Sequence, residues 1–308
     1  MSLLLVAHNR DMSSFKKAIE RIDPNIDVEI WPAVKDPKRV QFAVSWRHPK
    51  NVFANYPNIK VISSLGAGVD HLLTDPDIPE HITFTRIVSP SLAEQMNEYI
   101  LTSVLNFQRR THLYFEQQKN VVWESHPAFE KDDFVIGIMG LGALGSSISK
   151  SLTKLGYQVR GWSKSLKKIE NVETFSEGKL STFLGGTNLL VCLLPLTDET
   201  TGILNLDLFK KMKQPAFLIN AARGEHLVEE DLIYALDADI IQHATLDVFV
   251  DEPLPESHAF WNRDKITITP HVASITKASE VAELLVENYK SLMSGQPLKY
   301  VVDRTKGY

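Results

Sequence analysis

Three polar residues stand where acid–base and anion chemistry could be combined. Arg223 lies in Asn220-Ala221-Ala222-Arg223-Gly224, after an apolar run. Glu252 closes Asp247-Val248-Phe249-Val250-Asp251-Glu252, after a second run, and His271 sits in Pro270-His271-Val272-Ala273, after a third. A guanidinium is a planar fork that can grip a carboxylate and polarise the neighbouring carbonyl. An imidazole can give or take a proton near neutral pH. A carboxylate can accept the other ring N–H and fix the tautomer. In open α/β sheets ligands bind beyond the carboxyl ends of the strands. Arg223, Glu252 and His271 would thus converge on one ligand edge, together with Leu194, Pro195, Asn220, Ala222, Asp247 and Ala273 at the same strand ends.

A second constellation is Gly140-Leu141-Gly142-Ala143-Leu144-Gly145, directly after the apolar run 134–139 and before a helical stretch. The first glycine permits a tight turn, the second lets the backbone approach a pyrophosphate, and the third lets helix and strand pack closely. The pyrophosphate then meets N–H groups at the positive end of the helix. An NAD site places an acid about 20 residues further on, for the ribose hydroxyls. Here that position reads Trp162-Ser163-Lys164-Ser165, with Lys167 and Lys168 following. Hydroxyl and ammonium groups suit a 2′-phosphate, so the sequence predicts NADP in preference to NAD. Leu65-Gly66-Ala67-Gly68-Val69-Asp70 is a further glycine turn after a strand, able to offer N–H groups to an anion.

These residues need strands and helices in alternation. Apolar runs at 3–7, 28–31, 42–45 and 60–64 read as a first set of strands, with a helix at 13–22. Pro90-Ser91-Leu92-Ala93-Glu94 has capping-box spacing, and the helical pattern from there runs to about residue 118, long enough to link two domains. Strands follow at 157–162, 172–175, 188–194, 216–220, 243–247 and 266–269, with helices between them and a last helix at 276–294. The runs at 188–194 and 216–220 are almost wholly apolar, as in a parallel sheet covered on both faces. The expected class is therefore α/β, with a doubly wound parallel sheet (Rossmann type) for the cofactor.

Composition narrows the function classes. The chain has 308 residues, 44% hydrophobic and 23% charged, enough for two domains with substantial cores. A net charge of −5 argues against a nucleic-acid footprint. No stretch approaches the roughly 20 apolar residues of a membrane span, and the short apolar start reads as a strand, so the expected location is cytoplasmic. The single cysteine, Cys192, lies in an apolar run and reads as a core thiol. No His/Cys cluster has metal-ligand spacing. His226 reads as a surface residue.

Taken together, the Gly-Ala-Gly-Val-Asp turn, Gln95-Met96-Asn97-Glu98-Tyr99, the glycine fingerprint, Asn-Ala-Ala-Arg-Gly, Asp-Val-Phe with Glu-Pro, Pro-His and the terminal Val302-Asp303-Arg304 resemble the D-isomer-specific 2-hydroxyacid dehydrogenases, and within them the glyoxylate/hydroxypyruvate reductases. The resemblance implies a Rossmann cofactor domain, residues 99–275, inserted in a smaller flavodoxin-like substrate domain, residues 1–98 and 276–308. It implies Arg223, Glu252 and His271 as the catalytic set and substrate contacts from Trp46, Gly66, Ala67, Gly68, Val69, Arg86 and Arg223. It further implies a homodimer, and NADPH-dependent reduction of small 2-oxo acids with His271 as proton donor. The same resemblance leaves open a phosphoglycerate- or D-lactate-type dehydrogenase, and a nicotinamide-sensing co-repressor that binds partners instead of turning over substrate.

Overall fold

The computed structural model describes every residue except Asn9, Lys306 and Tyr308. In chain order the principal elements are β1 (Ser2–Ala7), α1 (Ser13–Ile22), β2 (Asp27–Ile30), β3 (Val40–Trp46), β4 (Val61–Ser64), α2 (Asp70–Leu73), β5 (Thr83–Thr85), α3 (Pro90–Gln108), α4 (Thr111–Lys119), β6 (Ile136–Met139), α5 (Ala143–Lys154), β7 (Val159–Trp162), β8 (Glu173–Phe175), α6 (Leu180–Leu184), β9 (Leu189–Cys192), α7 (Leu206–Phe209), β10 (Phe217–Asn220), α8 (Glu229–Asp237), β11 (His243–Leu246), β12 (Ile266–Ile268) and α9 (Ala278–Ser294). The chain forms two compact units. One comprises Met1–Leu92 and the segment from Thr276 onward, the other Ala93–Ile275. The first crossing lies inside α3, ahead of the Glu98 boundary read from the sequence. Among the described residues no helix is long and apolar enough to cross a membrane.

The first unit is a five-stranded parallel sheet in the order β2-β1-β3-β4-β5, the flavodoxin-like arrangement. β1 and the middle of β3 are mostly apolar because both faces are covered, and the period of two divides them cleanly. Leu3, Leu5, Phe42 and Val44 join the core that holds Phe15 and Ile19 of α1 and Val281 and Leu285 of α9. Leu4, Val6, Ala43 and Ile62 point into the opposite core. β5 is too short to carry a sequence signal, yet it closes the sheet. Its outer edge bonds the C-terminal segment, where the Val302 N–H donates to the Phe84 carbonyl at 2.9 Å.

The second unit is a seven-stranded parallel sheet, β12-β11-β10-β9-β6-β7-β8. This is the doubly wound dinucleotide order, and its direction reverses between β6 and β9. Cys192 of β9 is fully buried, and burial pushes its thiol up to about 12, as an inert core residue requires. The single long helix expected from residue 90 to about 118 is two helices. Arg110 between α3 and α4 adopts a left-handed φ of 58°, its Nε donates to the Pro127 carbonyl at 2.8 Å, and its guanidinium covers the Phe129 ring. Those tertiary contacts outweigh the helical pattern.

At the amino ends of the strands, His243 opens β11 and packs 4.9 Å from His112, among Phe107 and Phe217. The ring of His243 bonds the Thr267 hydroxyl at 3.0 Å. Burial, then the nearby His112 and Lys265, pull His243 down to about 3, and burial lowers His112 as well. The unfolded chain therefore binds protons that the folded one refuses. Stability is full above the ordinary histidine value of about 6.5 and falls below it, by about 1.4 kcal/mol per pH unit for His243 alone, until the folded value is reached. Urea midpoints measured at about pH 7.5 and about pH 5 should show this loss, and His243→Leu should flatten it. An equally steep loss in His243→Leu would exclude this histidine as its source.

Candidate active site

The three glycines of the fingerprint have three separate structural reasons. Gly140 follows β6 at φ 103°, and a Cβ there would lie 2.6 Å from the Leu193 carbonyl oxygen, so the turn can run against β9 only without a side chain. A Cβ on Gly145 would collide with the Gly140 carbonyl and approach Ile138 at 3.3 Å; α5 sits directly on β6. Gly142, the N-cap of α5, has no atom within 4 Å of its Cβ position. Gly142 and Ala143 are exposed and Leu144 is half-buried. The cradle thus presents an open backbone at a helix N-terminus beside the switch point, which fits a dinucleotide pyrophosphate.

At the end of β7, Ser163 is buried and its hydroxyl donates inward to the Ser165 carbonyl at 2.8 Å. Lys164 and Ser165 are exposed. The Lys164 ammonium contacts both carboxylate oxygens of Glu199, at 2.9 and 2.6 Å. Glu199 comes from the loop after β9, and no local pattern in the sequence ties it to Lys164. In the same loop Leu194 is buried, and the Pro195 carbonyl accepts the Thr200 hydroxyl at 2.7 Å.

The Arg223 loop is built by its neighbours. Asn220 accepts the Ala222 N–H at 3.2 Å and donates to the Arg223 carbonyl at 2.9 Å. His226 is fully buried, not at the surface as its sequence context suggested. Its Nδ1 lies 3.2 Å from both the N–H nitrogen and the carbonyl oxygen of Arg223, and its Nε2 lies 3.3 Å from the Pro195 carbonyl oxygen. The neighbouring Gly224 has the Phe249 Cα 2.6 Å from its Cβ position. Lacking a side chain, it lets the Arg223 loop lie on the segment that carries Glu252.

Glu252 and His271 form one hydrogen-bonded pair. A carboxylate can only accept, so Nδ1–H of His271 donates to Glu252 Oε2 at 2.9 Å. The other oxygen accepts the Phe249 N–H at 3.0 Å. His271 has a left-handed φ of 54°, a conformation costing about 1 kcal/mol for a residue with a Cβ. Its N–H is held by the carbonyls of Asp247 at 2.8 Å and Thr269 at 3.0 Å. Asp247 anchors the rest of this loop. Its carboxylate accepts from the Thr269 hydroxyl at 2.6 Å and from the N–H groups of Val272 and Ala273, both at 2.9 Å. Burial raises the Asp247 carboxyl, and those three bonds oppose the rise. Tyr99 bonds the oxygen of Thr269 at 2.7 Å, extending the chain into α3.

Within the first unit, the Trp46 indole lies across Gly66, whose Cβ position is 2.8 Å from the ring. The Gly66 N–H is used internally, bonded to the Ser64 hydroxyl at 3.2 Å, while Ala67 and Gly68 are partly exposed. Val69 is buried, and Arg86 reaches the Ala67 carbonyl at 3.5 Å. Trp46, the glycine turn and Arg86 are therefore brought together.

Comparison with known proteins agrees with this architecture. Residues 101–273, more than half the chain, match the model of the D-isomer specific 2-hydroxyacid dehydrogenase NAD binding domain. The chain is 39% identical over 304 residues to glyoxylate/hydroxypyruvate reductase A of Photorhabdus laumondii subsp. laumondii, covering 97% of each chain. It is 40% identical over 291 residues to the protein of the same name from Serratia proteamaculans, covering 92% of this chain and 93% of that one. Among solved structures, the NADPH-dependent glyoxylate/hydroxypyruvate reductase of Sinorhizobium meliloti, in complex with NADP and sulfate, superposes with a TM-score of 0.93 at 34% identity over the full length of both chains. A D-isomer specific 2-hydroxyacid dehydrogenase from Xanthobacter autotrophicus Py2, in complex with NADPH and MES, gives a TM-score of 0.94 at 34% identity over 100% of this chain and 99% of that one. With the fingerprint cradle, the strand order and the paired Glu252 and His271 in hand, these matches establish that the chain belongs to the D-isomer specific 2-hydroxyacid dehydrogenase family.

Proposed function

We propose that this family member is an NADPH-dependent reductase of small 2-oxo acids, with glyoxylate and hydroxypyruvate as substrates and glycolate and D-glycerate as products. The observation that carries the reading is the His271–Glu252 pair at 2.9 Å, beyond the carboxyl ends of the sheet that holds the glycine cradle. The relatives named glyoxylate/hydroxypyruvate reductase A support the substrate class. Held by the glycine cradle, NADPH would supply the hydride for the substrate carbonyl carbon. Arg223 grips the substrate carboxylate and polarises the carbonyl. With Nδ1 committed to Glu252, Nε2 of His271 gives its proton to the carbonyl oxygen, and Glu252 stabilises the protonated ring and fixes its orientation. In the first unit, the proposal assigns substrate contacts to Trp46, the backbone of Ala67, Gly68 and Val69, and Arg86, while Gly66, whose N–H is bonded to Ser64, shapes the turn. Gly140, Gly142, Ala143, Leu144 and Gly145 hold the pyrophosphate. Lys164 and Ser165 would face the 2′-phosphate, with buried Ser163 holding their turn through its bond to the Ser165 carbonyl. Leu194, Pro195, Asn220, Ala222, Asp247, His271 and Ala273 line the remainder of the cofactor. The proposed assembly is a homodimer, for which exposed Phe115, Val121 and Trp123 on and after α4 offer apolar surface. The proposed location is the cytoplasm.

Kinetic and binding measurements test this. NADPH should give a higher kcat/KM than NADH, and Lys164→Asp should move the preference toward NADH; wild-type enzyme that works equally well with NADH would sink the 2′-phosphate assignment. Gly142→Ala has room in the fold, so its melting temperature should match wild type while NADPH affinity drops about tenfold, since the added methyl meets only the ligand. Undiminished NADPH affinity there would argue against the cradle. His271→Ala should lower kcat with glyoxylate by about 10²–10⁴-fold while NADPH still binds. Arg223→Ala should cost about 10²–10³-fold in kcat/KM. Turnover of a neutral aldehyde at the rate of glyoxylate would overturn the carboxylate requirement.

A further inference from the structure

The first unit contains a hydrogen-bonded relay that the reaction described above does not use. The Ser45 hydroxyl lies 2.9 Å from Nδ1 of His48, and Nε2 of His48 lies 2.8 Å from Oδ2 of Asp75. Ser45 is fully buried, and the side chains of His48 and Asp75 are only 3% and 8% exposed. The carboxylate of Asp75 accepts from Nε2–H, and in the neutral ring Nδ1 accepts the serine proton. The order serine, histidine, aspartate is that of a hydrolase triad, but a hydroxyl with no exposed surface cannot attack a substrate. A holding role fits the burial.

What the relay holds is the turn at the end of β3. Trp46 is the last residue of that strand, and Arg47 after it adopts φ 45°, a left-handed conformation that costs a residue with a Cβ about 1 kcal/mol. Such strain persists where the surroundings over-determine the backbone. Here the strained residue lies between Trp46 and the buried histidine. The His48 ring packs 4.7 Å from Phe53 and 5.8 Å from His71, and His71 meets Trp46 edge to face at 6.0 Å. The Trp46 indole in turn lies across Gly66. A continuous path therefore runs from Asp75 through His48 and His71 to the Trp46 ring.

We infer that Ser45, His48 and Asp75 are positioning residues that fix the Trp46 indole against Gly66 and thereby set affinity for the 2-oxo acid. The inference rests on the substrate contacts proposed for Trp46 and the glycine turn. By tying the turn after β3 to the loop after α2, the relay fixes the indole before substrate arrives, so none of that ordering has to be provided by binding.

The test compares Trp46→Ala, His48→Phe and Ser45→Ala in the full-length enzyme with glyoxylate and NADPH. His48→Phe keeps an aromatic ring against Phe53 and His71 but loses both hydrogen bonds; Ser45→Ala removes one hydroxyl at the far end and protects the test should the larger change prevent folding. The expected result is a KM for glyoxylate raised about tenfold in Trp46→Ala and His48→Phe, and less in Ser45→Ala. NADPH affinity, read by cofactor fluorescence, and kcat should hold. If Trp46→Ala leaves KM unchanged, the substrate assignment itself fails. If Trp46→Ala raises KM while His48→Phe and Ser45→Ala change only the melting temperature, the relay merely stabilises the fold and the inference is overturned.

Discussion

The architecture of the second unit depends on one close approach. The backbone of Gly140 passes the carbonyl of Leu193 with no space for a Cβ between them, at the point where strand order reverses. A side chain there would push the turn off β9. The start of α5 would move with it, since Gly145 is seated on the carbonyl of Gly140. The open face of Gly142 exists because both of its flanking glycines are compressed. Dense packing beneath the turn and vacant space above it follow from the same three residues.

The opposite strand ends of this sheet have opposite electrostatic character. At the amino ends, His112 and His243 are kept neutral by burial among aromatic rings. At the carboxyl ends, His271 and Glu252 are partly exposed, Asp247 is buried, and each is oriented by a second group. Asp247 gathers the N–H groups of Val272 and Ala273, His271 is bonded through its own N–H, and Glu252 is tied to Phe249. Backbone donors thus fix both carboxylates, and the Glu252 carboxylate fixes the imidazole. Preorganisation of this kind keeps a proton donor in place without reorganisation during the reaction.

The loops follow the same logic. His226 joins the Arg223 loop to Pro195 through both ring nitrogens, and Gly224 lets that loop rest on the Glu252 segment. Each connection is short-ranged in space and distant in sequence. Arg110 shows the converse at a helix boundary, where a carbonyl and an aromatic ring claim its side chain and the helical pattern breaks.

Much of this was legible in the sequence, for reasons that are local. A strand buried on both faces must be an apolar run, so β1, β9 and β10 announce themselves. A turn that tolerates no Cβ must be glycine, so the fingerprint marks the start of α5. The strand ends carrying Arg223, Glu252 and His271 could be read for the same reason. Tertiary structure alone decided the rest. Burial of His226, the Glu199 partner of Lys164, the short edge strand β5 closed by Val302, and the link from Ser45 through His48 to Asp75 all join segments that are separate in the chain. Periods of two and 3.6 residues report which face of an element is covered. They carry no information about which distant loop covers it, because that is set by the strand order of the folded sheet.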